Sequence, residues 1–334
     1  MNKALGGLTL ASLLCAASVA EGREVRVYSG RHYNTDRAVF EGFTQKTGIN
    51  VRVVEAKGMA LVERLKREGS TSQADVILLV DAARINNAAQ QGLLQPVASS
   101  SLTSAVPSNY RDPQNRWFGL TRRVRAIVIN PDQVQAKAIS SYGDLAKPEF
   151  KGKLCLRKRN NVYNQSLVAD QIILKGESKT RNWIKGMIDN IDQPFFSGDS
   201  SLIRAVAQGR CGIGVVNHYY LARMQAGASG EKDRALVQST RLIMPDPVHV
   251  NISAGAVTTA AKNKQEAIAL LEYLASAAGS SALASRTYEY PLRGTGSSSQ
   301  LKAFGPFTPD NVSISQLGQT HQKAIRLMAE TGWK

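Results

Sequence analysis

The sequence of 334 residues contains little cysteine, histidine or aromatic side chain: three cysteines, four histidines and 6% Phe, Trp and Tyr. It has no Gly-x-Ser-x-Gly sequence, no Walker loop and no zinc signature, and its serine, histidine and aspartate residues show no catalytic spacing. The fold motifs of nucleic-acid-binding proteins are missing as well. These absences predict that the protein is neither an enzyme nor a partner of nucleic acid.

Acidic residues are also scarce. Lys and Arg number 42 while Asp and Glu number only 26, which gives a formal net charge of +16. Because no nucleic-acid motif accompanies this excess, we interpret it as a solvated basic face with a preference for anionic membrane surfaces.

Long apolar runs are confined to the first 20 residues. Lys3 precedes a Leu- and Ala-rich stretch that ends in small residues, which is typical of a secretory signal peptide cleaved near Ala20. Leu14 is too large for a lipoprotein site at Cys15, so we predict a soluble exported protein that begins near Glu21. No later stretch reaches the ~18 apolar residues of a membrane span.

Removal of the signal peptide leaves two cysteines, Cys155 and Cys211. Two cysteines in an exported protein predict a disulfide, which by the loop-entropy relation adds roughly 4 kcal/mol to the free energy of unfolding. Two unpaired buried thiols are the alternative. The separation of the two cysteines excludes a Cys-x-x-Cys redox motif.

Apolar strands alternate with amphipathic helices in the first third of the chain. Strands are predicted at residues 25–30, 49–56 and 74–81, and the helices after them end at Gly48, Gly69 and Gly92. This rhythm predicts an α/β fold with a doubly wound parallel sheet.

The rest of the chain predicts a second α/β unit. After a surface connection at residues 96–117, strands are predicted at 126–130, 153–158, 211–217 and 252–259, and helices at 165–174, 181–188, 200–208, 262–278 and 312–329. The length favours two lobes. We predict two Rossmann-like lobes with a ligand cleft between them: residues 24–118 plus about 248–298 form the N-terminal lobe, and about 120–246 plus 300–334 the C-terminal lobe.

Four tyrosines come after predicted strands: Tyr33, Tyr163, Tyr219 and Tyr220. The carboxyl ends of strands line the ligand crevice of open α/β sheets. A phenol has a pKa near 10, so one phenolate held at pH 7 costs about 4 kcal/mol. A strongly charged, hard cation more than offsets this cost, and ferric iron is the biological candidate. For the Tyr219 and Tyr220 pair, a purely structural role in capping the core is the alternative.

Five segments, in order, resemble the periplasmic ferric-iron-binding proteins of ABC iron importers, in particular the Fut type of cyanobacteria. They are residues 28–33 (YSGRHY), 74–81 (ADVILLVD), 119–125 (GLTRRVR), 162–167 (VYNQSL) and 217–220 (NHYY). The resemblance extends from about Val25 to Trp333. It implies a bacterial-transferrin-like fold of the type 2 periplasmic binding proteins and a periplasmic location. It also implies Fe³⁺ as cargo, with Fe²⁺ left open, and a monomer that delivers it to an ABC permease and ATPase complex in the inner membrane.

The resemblance also implies a ligand set, carried over by motif: Tyr33, Tyr163, Tyr219 and Tyr220 as phenolates, with His32 as a candidate fifth ligand. Four phenolates around Fe³⁺ sum to −1, and a buried net charge is expensive unless it is paired.

Three arginines are predicted to compensate that charge from behind the ligands: Arg123, Arg125 and Arg223. The alternative is that they are solvated surface arginines. A bridge between Cys155 and Cys211 would tie together the strands that precede Tyr163 and Tyr219.

Other candidates for metal binding are weaker. Asp81 ends the third strand where some branches of the family use an acidic ligand, but it is one methylene shorter than Glu. His218 points away from the tyrosines by strand alternation, and His249 and His321 have no companions at metal spacing. Two further functions stay open: a solute-binding protein for a small anion, and an iron storage or protective protein.

Overall fold

The computed structural model describes residues 23–31, 34–191 and 193–334. The predicted signal peptide at residues 1–20 lies outside the described residues. Two predicted ligands, His32 and Tyr33, lie outside them as well.

Within the described residues the chain forms nine strands and thirteen α-helices. The strands are β1 Glu24–Ser29, β2 Asn50–Glu55, β3 Val76–Val80, β4 Phe118–Ile129, β5 Leu154–Cys155, β6 Ile213–Asn217, β7 Arg241–Ile243, β8 Val250–Val257 and β9 Tyr290–Pro291. The helices are α1 Arg37–Thr47, α2 Gly58–Glu68, α3 Ala82–Gln90, α4 Ser100–Ala105, α5 Val162–Lys175, α6 Glu177–Asp189, α7 Asp199–Ala207, α8 His218–Gln225, α9 Glu231–Leu236, α10 Lys264–Ala275, α11 Ala277–Thr287, α12 Ser299–Ala303 and α13 Ile314–Glu330.

The strands pair in the order β2-β1-β3-β8-β4-β6-β5, and β7 and β9 both pair with β4. β1 pairs in parallel with β2 and β3, as the alternating pattern predicted. β8 pairs antiparallel with β3 and with β4. The predicted α/β class is therefore confirmed. The predicted parallel arrangement holds for β1, β2 and β3. In contrast, β8 returns from the second half of the chain and runs antiparallel to its neighbours, and β4 runs antiparallel to β6 and β7.

β4 connects the two halves of the sheet. Its residues 118–124 pair with β8, and residues 125–129 pair with β6. All twelve residues of this strand are buried. The sequence predicted a strand only at residues 126–130, because Gly119 and three arginines interrupt the apolar pattern before it. The pairings divide the sheet into two groups, and the proposed lobe boundaries stay a prediction.

The helix predicted at residues 262–278 is α10, and a second helix, α11, follows it after a break at Ser276, with a bend of 68° between the two. Ser276 ends the first helix, and its Oγ accepts a hydrogen bond from the N–H of Gly279 at the start of the second. Within the described ranges no single helix is long and apolar enough to cross a membrane, and the bent pair meets that test only by length and composition.

Cys155 in β5 forms a disulfide with Cys211, two residues before β6, with 6.0 Å between the Cα atoms. The predicted bridge is therefore confirmed, and unpaired thiols are excluded. β5 and β6 are parallel neighbours. The bridge thus ties together two strands whose carboxyl ends lead into the loop before α5 and into α8.

Candidate metal centre

Tyr219 and Tyr220 lie in the first turn of α8, directly after β6 ends at Asn217. Tyr219 is 1% exposed and Tyr220 is half-buried. Their ring centroids are 4.4 Å apart. The buried strand therefore delivers both phenols to one place at the carboxyl end of the sheet, as the sequence pattern indicated.

Tyr163 lies in the first turn of α5, which begins at Val162. The side chain of Asn161 caps this helix by accepting a hydrogen bond from the N–H of Asn164 at 3.2 Å. The Tyr163 hydroxyl lies 3.5 Å from the Tyr219 hydroxyl. Three of the four predicted tyrosine ligands thus come together, although Tyr163 is carried by a helix and not by the end of a strand.

Three arginine side chains surround the ring of Tyr163. The guanidinium carbons of Arg123, Arg125 and Arg157 lie 5.3, 6.0 and 5.9 Å from the ring centroid. Distances of this size allow cation–π attraction. Arg123 and Arg125 are 1% and 2% exposed, so the alternative that they are solvated surface arginines is wrong.

Arg125 holds the starts of both tyrosine-bearing helices. Its Nη2 donates to Oδ1 of Asn164 at 2.7 Å, and its Nη1 donates to Oδ1 of Asn217 at 3.3 Å. Asp199, which is 1% exposed, pairs with Arg125 at 2.9 Å and with Arg157 at 3.2 Å. This network fixes the phenols relative to each other by hydrogen bonds made behind them.

Most of this network was not predicted from the sequence. Asn164 and Asn217 flank predicted ligands, so their position beside the tyrosines could have drawn attention to them. Arg157 and Asp199 belong to no motif, and only the packing of α7 against β6 brings Asp199 to the site.

Asp81 is fully engaged by hydrogen-bond donors. Its Oδ1 accepts from the N–H of Ala83 at 3.1 Å and from Oγ of Ser166 at 2.7 Å. Its Oδ2 accepts from Arg123 at 3.3 Å and from Nδ2 of Asn251 at 3.1 Å. These contacts occupy the oxygens that a metal would need, which agrees with the expectation that Asp81 is a weaker candidate ligand than the tyrosines.

The other predicted arginine, Arg223, is half-buried on α8. In the part of the chain that is described, its side chain forms no hydrogen bond or ion pair, so the structure does not bring it to the tyrosines in the way it brings Arg123 and Arg125. Its compensating role stays a prediction.

Burial raises the pKa of Tyr220 well above its usual value, and the neighbouring Tyr163 and Asp199 raise it further. In the absence of a cation this side chain is therefore a neutral phenol at neutral pH. A cation that binds it must displace the proton.

A small cavity of about 10 Å³ lies beside these phenols. It is lined by Asp81, Arg123, Arg125, Tyr163, Asn217, His249 and Asn251. A volume of this size holds roughly one water molecule. Of the three clustered phenols, Tyr163 alone lines the cavity.

Two of the described histidines lie apart from the phenol hydroxyls. The ring of His218 stacks on Tyr290 at 4.4 Å, and its Nδ1 accepts a hydrogen bond from the N–H of Val124 at 3.2 Å. Burial lowers the pKa of His218 to about 3, so it is neutral. His321 lies 2.9 Å from Oε1 of Gln165.

His249 does have companions at metal spacing, and the prediction that it has none is wrong. Asp170 and Asp310 lie beside it, and the ligand atoms of these three buried residues are all within 4.8 Å of one another. No sequence motif marks this cluster, because the three residues come from segments that are far apart along the chain.

The chain matches the bacterial extracellular solute-binding protein family over residues 72–308. Iron uptake protein A1 of Synechocystis is 37% identical over 324 residues, which covers 96% of this chain and 90% of that protein.

Solved structures extend this similarity to the fold. A Trichodesmium protein, FutA (IdiA), solved in complex with iron and citrate, superposes with a TM-score of 0.90 at 41% identity, covering 93% of this chain and 100% of that chain. A ferric binding protein from Campylobacter jejuni superposes with a TM-score of 0.86 at 32% identity, covering 93% of this chain and 100% of that chain.

Proposed function

This chain belongs to the bacterial extracellular solute-binding protein family, and from that premise we propose that it captures ferric iron outside the cytoplasm and delivers it to an ABC-type permease. The relatives named for iron uptake and ferric-iron binding match almost the whole chain, which supports iron as the cargo. The processed chain begins near Glu21 and works as a monomer in the periplasm.

One observation carries the proposal. The hydroxyls of Tyr163 and Tyr219 lie 3.5 Å apart, and the ring of Tyr220 lies 4.4 Å from that of Tyr219. The Tyr219 hydroxyl also accepts a hydrogen bond from Nδ2 of Asn217 at 3.3 Å, so the three phenols belong to one polar cluster and not to a hydrophobic core. As phenolates they form a hard, negatively charged oxygen set that suits a trivalent ion.

The remaining ligands come from outside the described residues. We infer that Tyr33 supplies a fourth phenolate and that His32 is a candidate fifth ligand. Four phenolates around Fe³⁺ sum to −1. The buried guanidinium groups of Arg123 and Arg125 offset this charge, and Arg223 on α8 lies one helical turn from Tyr219.

Contacts across the predicted cleft support closure around the ion. Asp81 belongs to the predicted N-terminal lobe, and it accepts a hydrogen bond from Ser166 in the predicted C-terminal lobe. An ion that draws ligands from both lobes binds the closed form better than the open form, and it therefore shifts the population toward closure.

The donor set favours iron over a small anion. The hydroxyl oxygens of Tyr163, Tyr219 and Tyr220 suit a hard cation once they lose their protons. The guanidinium of Arg125, which an anion would need, already contacts Asn164, Asn217 and Asp199.

The test is the Tyr219→Phe/Tyr220→Phe double variant. It removes two hydroxyls with little change in volume, so the fold should persist while iron affinity falls more than about 100-fold, because two charged ligands are lost. Visible absorbance of the purified protein during Fe³⁺ titration reports ferric phenolate directly, and circular dichroism reports the fold.

The matched control is Tyr273→Phe on α10. The ring of Tyr273 packs against Phe43 at 5.5 Å, away from the cluster, so its iron titration should equal that of wild type. A double variant that keeps both colour and affinity would disprove the proposal. An uncoloured wild-type protein that binds phosphate would establish the anion function instead.

Transport and storage are separated by a second measurement. A transport protein should bind one iron per chain and stimulate ATP hydrolysis by its permease complex in vesicles. Absence of that stimulation by the iron-loaded protein would favour the storage or protective role.

A further inference from the structure

Three titratable side chains come together in a second cluster. Asp170 lies on α5, His249 lies directly before β8, and Asp310 lies before α13. Their side chains are 1%, 2% and 3% exposed. All the atoms with which they could ligate a metal lie within 4.8 Å of one another.

The spacing in this cluster is that of ligands around an ion. Nδ1 of His249 lies 3.5 Å from Oδ1 of Asp170 and 3.7 Å from Oδ2 of Asp310. Hydrogen bonds between a charged imidazole and a carboxylate are shorter, about 2.7–2.9 Å. A tetrahedral ion with bonds of about 2.0–2.2 Å separates its ligand atoms by roughly 3.4 Å.

Several buried atoms in the cluster have no hydrogen-bond partner: Oδ1 of Asp170 and both ring nitrogens of His249. An unsatisfied buried polar atom is costly, and its presence calls for a further partner. Oδ1 of Asp170 and Nδ1 of His249 face each other across the 3.5 Å gap just described.

Further contacts hold these groups in place, and one of them is made by an atom that faces the gap: Oδ2 of Asp310 accepts from the N–H of Val250 at 3.3 Å. Oδ2 of Asp170 accepts from Nε2 of Gln171 at 2.9 Å, and Oδ1 of Asp310 accepts from the N–H of Val312 at 2.9 Å. The backbone N–H of His249 donates to the hydroxyl of Tyr142 at 3.1 Å. Contacts of this kind orient ligating groups toward a metal.

The charge of the cluster attracts cations. Burial alone would lower the pKa of His249, but the carboxylates of Asp170 and Asp310 outweigh burial and raise it to about 9. Among the described residues no lysine or arginine forms an ion pair with either carboxylate. Two carboxylates and a neutral imidazole carry −2, which a divalent ion neutralises and a trivalent ion does not.

We propose that Asp170, His249 and Asp310 form a second metal site, for a divalent first-row transition ion such as Zn²⁺. Nitrogen and carboxylate oxygen ligands suit zinc, manganese and ferrous ions. His249 also lines the small cavity beside Tyr163, which gives an ion a path to the cluster. The ligands of this site differ from those of the proposed iron site, although both sites border the same cavity.

The experiment uses the exported, processed protein freed of metal and then loaded with one equivalent of Fe³⁺. Zn²⁺ is added in competition with a chromophoric chelator. We expect one zinc per chain, with affinity at least about 10-fold lower in His249→Gln and in Asp310→Asn, since loss of a ligand exceeds the effect of a lost outer contact. His321→Gln is the matched control and should bind zinc like wild type.

The Tyr219→Phe/Tyr220→Phe variant separates the two sites, since it should lose iron and keep zinc. X-ray absorption of zinc-loaded wild type should show nitrogen and oxygen ligands that include one imidazole. Because it uses the wild-type protein, this measurement tests the zinc ligands even if a variant fails to fold.

Three results would overturn the proposal. Wild type that binds no zinc at about 100 μM would mean that the cluster holds a proton only. Equal zinc affinity in wild type, His249→Gln and Asp310→Asn would place zinc elsewhere on the chain. Loss of zinc in the double tyrosine variant would show that zinc occupies the phenol cluster.

Discussion

Oxygen ligands come together in two places in this molecule, and a different kind of positively charged group compensates their negative charge in each place. Around Tyr163 and Tyr219 the balancing groups are arginines that are charged at every physiological pH. Around Asp170 and Asp310 the balancing group is His249, whose charge depends on a proton.

The difference arises from the protonation state of the ligands. Phenols are neutral until a cation displaces their protons. The nearby arginines therefore compensate a negative charge only once the iron complex has formed. Carboxylates are charged beforehand, so their cluster must hold a proton or a divalent ion at all times. One site is therefore suited to a cargo that comes and goes, and the other to a resident ion.

The largest expected effect is the pH dependence of iron binding. Burial raises the pKa of Tyr220, so its proton is present across pH 5–8 and must leave on binding. The apparent iron affinity should fall about 10-fold per pH unit for each proton displaced. Competition titrations with a pH-insensitive chelator would measure this slope.

The pH dependence of metal affinity should also differ between the two clusters. The phenol cluster has more protonated ligands to displace than the carboxylate cluster has, so the iron slope should be the steeper of the two. An iron affinity that stays flat between pH 8 and pH 5 would contradict phenolate binding.

The second expected effect concerns the disulfide behind the phenols. Cys155→Ser/Cys211→Ser should lower the free energy of unfolding by roughly 4 kcal/mol, because the unfolded chain regains its loop entropy. Urea denaturation measures this change, and reduction of wild type should reproduce it. Iron affinity should fall as well, since the bridge lies under the tyrosine-bearing segments, while zinc affinity should hold. Unchanged stability would contradict a structural role for the bridge.

The third expected effect is a stability change at alkaline pH. The pKa of His249 is raised to about 9 in the folded protein, against about 6.5 in an unfolded chain. Its protonation therefore stabilises the fold fully below about pH 6.5, and this contribution is lost as the pH rises through 9. The loss is about 3 kcal/mol at most.

Urea denaturation at pH 6.5, 8 and 9.5 would measure this loss in the metal-free protein. His249→Gln should flatten the dependence, whereas His218→Gln should keep it, because the pKa of His218 is lowered to about 3 and its ring is neutral throughout this range. Equal slopes for wild type and His249→Gln would show that the carboxylate cluster does not hold the proton.

The smallest expected effect is that of Arg125→Lys. Lysine keeps the charge but cannot contact Asn164, Asn217 and Asp199 together, so the phenols lose part of their fixed geometry. Iron affinity should fall about 10-fold, and zinc affinity should be unchanged. Arg116→Lys, whose arginine pairs with Asp112 away from both clusters, is the control. Equal losses of iron and zinc affinity would mean a general loss of structure.

Part of the candidate site could be read from the sequence because short segments carry it. Tyr219 and Tyr220 come directly after an apolar strand, and a strand that ends at a sheet edge brings the next residues of the chain to that edge. Strand alternation was the wrong basis for placing His218, because this residue begins α8, where its ring stacks on Tyr290 and also contacts the ring of Tyr219.

Other parts of the site could not be predicted from the sequence, because they contain charged residues at buried positions. Arg123 and Arg125 lie in a fully buried strand, which periodicity does not recognise because charged residues rarely occupy such positions. The separate helix α11 was missed because its Ala-, Ser- and Gly-rich sequence has only a weak apolar pattern.

Local patterns and a cysteine count were enough to predict the α/β class, the disulfide between Cys155 and Cys211 and the position of the tyrosines at the ends of strands. Which charged groups meet depends on the packing of the whole chain. Asp199 reaches Arg125 across 74 positions in the chain, and His249 meets Asp170 and Asp310 from separate segments. Such contacts depend on how α5, α7 and β8 pack together, and no local pattern in the sequence encodes that packing.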